Sequence, residues 1–132
     1  MWSWHCLGKL TDAEKDYVPV LLILYGLPQH LGLHEDVLDH RLNTRTIYLN
    51  PFLRFLYWNM NYHIEHHMFP MVPYHALPAL HKELKFDYPT PSPSLWAAIK
   101  EVVIALIKQK NDPSYVVERT LPPTANPYYY GK

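Results

Sequence analysis

The chemistry in this chain is concentrated in five consecutive residues, His63-Ile64-Glu65-His66-His67. With nine histidines in 132 residues, three at these offsets are expected roughly 0.04 times by chance, so the spacing is a signal. On a helix turning 100° per residue, His63, His66 and His67 fall within about 100° of one another, while Glu65 points nearly opposite. Three imidazoles gathered without a metal would each need a hydrogen-bond partner and would repel if protonated. A metal-binding face is the favoured reading, with a purely structural cluster as the alternative.

Other residues add weaker signals. His30 and His34 stand at i, i+4 and share a face if helical, although Pro28 and Gly32 oppose a helix there. Asn59, one turn before His63, is placed to hydrogen-bond a ligand or a metal-bound water from behind the metal ligands. His5, His40, His75 and His81 lack mutual spacing and are expected to be satisfied or exposed. The zincin pattern H-E-x-x-H is absent, because His34-Glu35 has no His three places beyond the Glu. The single Cys6 offers no pair for a structural zinc site or a disulfide and fits a reducing compartment. No catalytic residue beyond the metal ligands, and no further cofactor-binding residue, is indicated.

The histidine box needs a helix to present it. Asn50 as N-cap and Pro51 at the first helical position predict a helix over 51–67, with Pro70 ending it. Three prolines over 70–78 place the next helix at about 74–84. Residues 88–93 then read as an extended connector, and Ser92 as N-cap with Pro93 opens an amphipathic helix over 93–109. Upstream, Thr11-Asp12-Ala13-Glu14 matches a capping box. Val18–Leu27 is a brief apolar run suited to a core helix or to an interfacial or re-entrant segment. Residues 28–50 read as a polar loop or short exposed helix, and residues 111–132 as an extended or disordered tail. No strand alternation or internal repeat is evident, so the expected class is all-α.

Composition narrows the function classes. The length fits one small domain. Twelve Lys and Arg against twelve Asp and Glu leave no net charge to attract nucleic acid, so no nucleic-acid partner is expected. Eleven Tyr, four Trp and four Phe are plentiful, and such amphipathic rings favour interfaces with one wet side. Thirteen Pro against four Gly describe a jointed chain. The longest stretch without Asp, Glu, Lys or Arg, 17–34, is interrupted by Pro19, Gly26, Pro28 and Gly32 and is not a clean membrane span. The first ten residues lack a basic region leading into an apolar one, so no cleaved secretory signal is expected. Membrane association is expected instead from Val18–Leu27, the Tyr and Trp excess and the helix after Pro93.

The run from Asn61 to Pro70, followed by Val72-Pro73-Tyr74-His75-Ala76-Leu77-Pro78, resembles the third histidine box of the integral-membrane fatty acid desaturase and hydroxylase superfamily. The segment from Gln29 to Thr46 looks like the one that precedes this box in a bacterial hydrocarbon oxygenase subgroup of the rhizopine-catabolism type. The similarity covers about residues 17–88, within a desaturase-like region of 1–110 and ahead of a tail of 111–132. It implies iron ligands at His63, His66 and His67, with His34 the preferred upstream ligand and His30 second. It implies an all-helical membrane enzyme with a diiron centre on the cytoplasmic side. Such an enzyme uses O₂ and two electrons from a redox protein to desaturate or hydroxylate an acyl or alkyl lipid. Members carry two earlier histidine boxes, so this chain is expected to be the C-terminal portion of such an enzyme. The other boxes would come from upstream sequence or from a second polypeptide, and the 132 residues alone are not expected to turn over substrate. The competing reading is a non-catalytic protein that keeps the histidine face for binding a metal, a membrane or a partner.

Overall fold

The computed structural model describes residue 20 and residues 22–127. A π-helical turn, Leu22–Gly26, runs into α1 (Leu27–His30), followed by α2 (His40–Asn43), α3 (Pro51–Leu56), α4 (His63–Met68), α5 (Leu77–Leu84) and α6 (Leu95–Asn111). The fold is all-α, as the sequence indicates. Among the described residues the β pairing is one isolated parallel bridge, Ile47 with Ser92. The capping box at 11–14, Cys6 and His5 lie outside the described residues.

The helix expected over 51–67 is two helices. Asn50 caps α3 by accepting from the Leu53 amide at 2.8 Å, but the helix closes at Tyr57. Trp58 and Asn59 adopt left-handed φ values of 51° and 53°, which cost L-residues roughly 1–2 kcal/mol each. The turn offsets that cost with bonds of its own. Backbone amides of Asn59 and Met60 donate to Arg54 and Tyr57, both at 2.9 Å, and Gln29 Nε2 donates to the Met60 carbonyl at 2.8 Å. The break re-aims α4, which ends at Met68 ahead of Pro70.

Two other boundaries move for local reasons. Helix α5 starts at Leu77 instead of 74, because residues 73–76 are spent on a turn with Ala76 donating to Pro73 at 2.9 Å. Helix α6 is capped by Ser94, whose Oγ accepts from Ala97 at 3.2 Å, and Ser92 is not the cap. Both backbone groups of Ser92 are taken by the 46–48 segment, at 2.9 Å each.

The largest correction concerns residues 28–50, expected to be a polar loop or a short exposed helix: the short helix is present as α2, but much of the segment is buried. Gln29, Asp39, Arg41, Thr44, Arg45 and Thr46 are all buried, along with Ile47. Conversely, the described part of the apolar run is largely outside. Val20, Ile23, Leu24 and Leu27 are exposed, and only Tyr25 is buried, stacked on Tyr57 with centroids 5.1 Å apart. Helix α6 buries its small residues, Ala98, Val102 and Ala105, which lets the chain beyond α1 come close. A Cβ at Gly32, whose φ is +77°, would sit 2.9 Å from the Ala105 Cβ, so only glycine fits there.

Beyond α6 the described chain, 112–127, is extended and packed against the body. Val117 donates to the Gly32 carbonyl at 2.7 Å, and Arg119 pairs with Glu101 at 2.6 Å. Asn126 closes a buried knot. Its amide donates to Asp87 at 2.6 Å, and its carbonyl accepts from Arg41 at 2.9 Å. Arg41 also pairs with Asp39 at 2.8 Å and with Asp87 at 3.0 Å, and the bonds to Asp39 raise its pKa above the usual guanidinium value. Replacing Arg41 by Leu leaves two carboxylates in a water-poor site and is expected to cost about 3–5 kcal/mol, read as a lowered urea midpoint. A loss under about 1 kcal/mol, the range of exposed pairs, contradicts this account.

Candidate metal site

Helix α4 presents its histidines as the 3.6-residue period requires. His63 and His67, one turn apart, bring their Nε2 atoms to 3.1 Å. From across the fold, His30 at the end of α1 places its Nε2 2.7 Å from that of His63. These three ring nitrogens form one cluster, each within 4.8 Å of the others. Donors about 2.1 Å from one ion and at right angles stand about 3 Å apart, so the spacing suits a single transition-metal ion bound by imidazole.

The electrostatics favour lone pairs over protons. Burial drives the His63 pKa down to about 2, helped by repulsion from His30, His67 and His66. His67 is pushed down to about 4, by burial first and then by His30, His40 and His66. His30 is lowered chiefly by burial, with the Asn43 carbonyl pulling the other way. The far nitrogens are poorly served: His63 Nδ1 and His66 Nδ1 are buried without a well-formed hydrogen bond, although the Met60 carbonyl biases His63 weakly upward. Three neutral imidazoles crowded this closely fit a cation that all three can bind.

What holds the imidazoles lies behind them. Glu65, on the opposite side of α4 as the helix geometry predicts, is fully buried. It accepts from Thr46 Oγ1 at 2.7 Å and contacts His81 Nδ1. The His81 ring is completed by the Tyr48 hydroxyl, 2.9 Å from Nε2, so this histidine is the satisfied one that its isolation in sequence implies. Gln29 fixes the other half. Besides its bond to Met60, its Oε1 accepts from the Tyr57 hydroxyl at 3.1 Å, and the Arg45 amide donates to its carbonyl at 2.9 Å.

The remaining candidates fall as follows. His66 stands off, its ring 6.1 Å from His63 and 5.9 Å from His67. His34, preferred over His30 as the upstream partner, lies beyond α1 on the wall of the adjoining pocket, so the geometry reverses that order. The reason is that α1 ends at Leu31 with extended backbone, so His30 and His34 share no helical face. Asn59 turns away from the imidazoles. Its amide is committed to the left-handed turn, accepting from Arg54 at 3.3 Å and donating to the Tyr74 carbonyl at 3.2 Å. His75 is exposed. His40, set aside for lack of spacing, packs its ring 5.0 Å from His67.

The depressed imidazoles have a consequence for stability. An unfolded imidazole titrates near 6.5, so below that value the unfolded chain binds protons that folded His63 and His67 refuse. Stability therefore rises with pH across this window and is lost as pH falls. In metal-free protein the urea midpoint is expected to drop from about pH 6.5 toward pH 4, with a shallower drop in His63→Gln. Equal slopes in parent and variant contradict the account.

A sequence-family model described as fatty acid desaturase matches residues 17–98. Neither a curated protein nor a solved structure matches the chain. The matched region runs over more than half of the sequence and includes α1 with His30, the polar segment 44–47 and all of α4. A helical chain that gathers imidazoles from two of those segments, inside that match, belongs to the fatty acid desaturase family.

Proposed function

We propose that this chain supplies the C-terminal histidine box of an O₂-dependent desaturase or hydroxylase that acts on an acyl or alkyl lipid. The observation that carries the reading is the convergence of His30, His63 and His67 from two segments of a desaturase-family chain. Iron held there by His30, His63 and His67, as one of a pair completed by the family's other histidine boxes, would supply the oxidising power to attack an unactivated C–H bond. The overall balance takes two hydrogens from the chain and, with O₂, two electrons and two protons, yields two waters in desaturation. The residues of this chain have three tasks in that scheme. His30, His63 and His67 offer neutral donors, Glu65 and Gln29 fix their aim, and burial keeps protons from competing. Imidazole suits iron, and His34 and His66 border the same region as candidates for further ligation.

We further propose that the protein works at a membrane, with the histidine face on the cytoplasmic side, receiving electrons from a redox protein. No helix among the described residues is long and apolar enough to cross a bilayer. Exposed Ile23, Leu27, Phe52, Phe55, Trp58, Trp96 and Ile107 support association with the lipid surface. The pattern of residues 29–46 supports the hydrocarbon oxygenase subgroup of the rhizopine-catabolism type. Flotation with phospholipid vesicles is the check. The chain is expected to rise with the lipid, and the double variant Phe55→Glu, Trp96→Glu to remain several-fold more in the heavy fraction. Parent protein that stays wholly below the lipid refutes membrane association.

Activity follows from the ligand count. Supplied with iron, O₂, a reductase and a ferredoxin-like donor, the 132-residue chain is expected to give no unsaturated or hydroxylated product by mass spectrometry. Adding a polypeptide that carries the two earlier boxes is expected to restore product, and His63→Ala to abolish it. Product from the chain alone refutes the shared-site reading, and product that survives His63→Ala refutes the role of the box.

A further inference from the structure

Asn43 fixes how His40 is presented. Its amide nitrogen donates to the Val37 carbonyl at 2.8 Å, so its oxygen is the end that faces His40 Nδ1, 3.3 Å away. An amide oxygen only accepts, so Nδ1 carries the proton in that contact, and in the neutral ring Nε2 keeps its lone pair. Metal-ligating histidines adopt this arrangement, the remote nitrogen donating to a fixed oxygen while the other binds. The ring stands on a braced turn. Asp39 caps α2 through the Arg41 amide at 2.9 Å, and the Asp39, Arg41 and Asp87 knot locks the turn from behind.

The position agrees with the presentation. Two imidazoles bound at about 90–110° to one ion, each about 2.1 Å from it, have ring centres roughly 4.5–5.3 Å apart. His30, His63 and His67 have separations of 4.5, 4.6 and 5.2 Å. His40 lies 5.0 Å from His67, with the rings tilted by 36°, and its nitrogens stand just outside the cluster of the other three, so it joins their ion only by a shift of its ring. A pocket of about 280 Å³ is lined by His30, His34, Glu35, His40 and His67 together. With about 30 Å³ per water, that leaves room for an ion and several waters.

We propose that His40 is a further imidazole donor for a divalent transition-metal ion in this pocket, entering with Nε2 beside His67. The proposal rests on the metal-binding reading of the His30, His63 and His67 cluster and adds to it a ligand that the histidine box does not contain.

Cobalt(II) is the probe, added to the full chain and followed by its visible d–d absorption and by calorimetry. The parent is expected to bind. His40→Ala is expected to bind 10- to 100-fold more weakly with a changed band shape, and His75→Ala, at an exposed site, to match the parent. Asn43→Leu, which keeps His40 but frees its ring, is expected to weaken binding 3- to 10-fold. X-ray absorption of the loaded parent counts its imidazole ligands without any variant, and four or more are expected. Parent-like affinity and band shape in His40→Ala, or an imidazole count of three, overturn the proposal and leave the metal-binding reading standing. A parent chain that binds no cobalt overturns both.

Discussion

Arg45 is the constraint from which the rest of the structure follows. Its side chain is 1% exposed, yet it stays charged at neutral pH, since burial lowers its pKa only to about 10. Taking a guanidinium out of water is costly unless acceptors or an opposite charge compensate it. Here only Nη1 is fully hydrogen-bonded, Nη2 facing a carboxylate and Nε having no well-formed bond, with the compensating groups drawn from separate parts of the chain. Nη1 donates to the carbonyls of Pro28 and Leu31, at the end of α1 where a helix favours positive charge. Nη2 lies 3.0 Å from Glu101 on α6, which in turn pairs with Arg119 beyond that helix. Each segment compensates a charge that the others leave exposed, so they assemble together. His30 sits between Pro28 and Leu31, and its place in the site is inherited from this clamp.

The neighbours of Arg45 extend the same logic. Residues 44–47 form a buried polar spine whose successive side chains and amides reach different helices. Thr46 donates to Glu65 and so sets the rotation of α4. Ile47 exchanges backbone and side-chain bonds with Asn61 at 3.0 and 2.8 Å, which fixes the entry to that helix. One residue's spacing along the spine thus joins the segment bearing His30 to the segment bearing His63 and His67. The histidine cluster is a product of the register between Arg45 and Thr46 more than of the box alone.

That explains which features were legible in the sequence. Part of the face of α4 was, because helix periodicity is local: His63 and His67 had to lie one turn apart, with Glu65 behind them, while His66, expected on the same face, stands off the cluster. The caps at Asn50 and the stop before Pro70 were legible for the same reason. The left-handed pair Trp58 and Asn59 was not, because neither is glycine and the conformation is held by Gln29 and Tyr74, both distant in sequence. Nor was the burial of residues 39–46. A run of charged and hydroxyl side chains reads as solvated until Asp87, Glu65, Glu101 and Asn126 are brought against it, and none of those contacts has a sequence period. His40 was passed over on the same ground, since its partner His67 is twenty-seven places away.

The distribution of polarity binds these points together. Among the described residues buried polar or charged side chains are about as many as buried apolar ones, while nineteen large apolar residues remain at least partly open on the surface. Cohesion here rests on directional bonds between polar groups as much as on burial of apolar area. Such bonds strengthen as the surrounding polarity falls, and an unmet polar group becomes more costly in step. An apolar cover over the exposed aromatic and aliphatic side chains would therefore tighten the spine through Arg45 and Glu65. It would also deepen the desolvation that already keeps His63 and His67 unprotonated. The polar interior and the neutral imidazoles thus answer to one physical variable, the polarity of their surroundings.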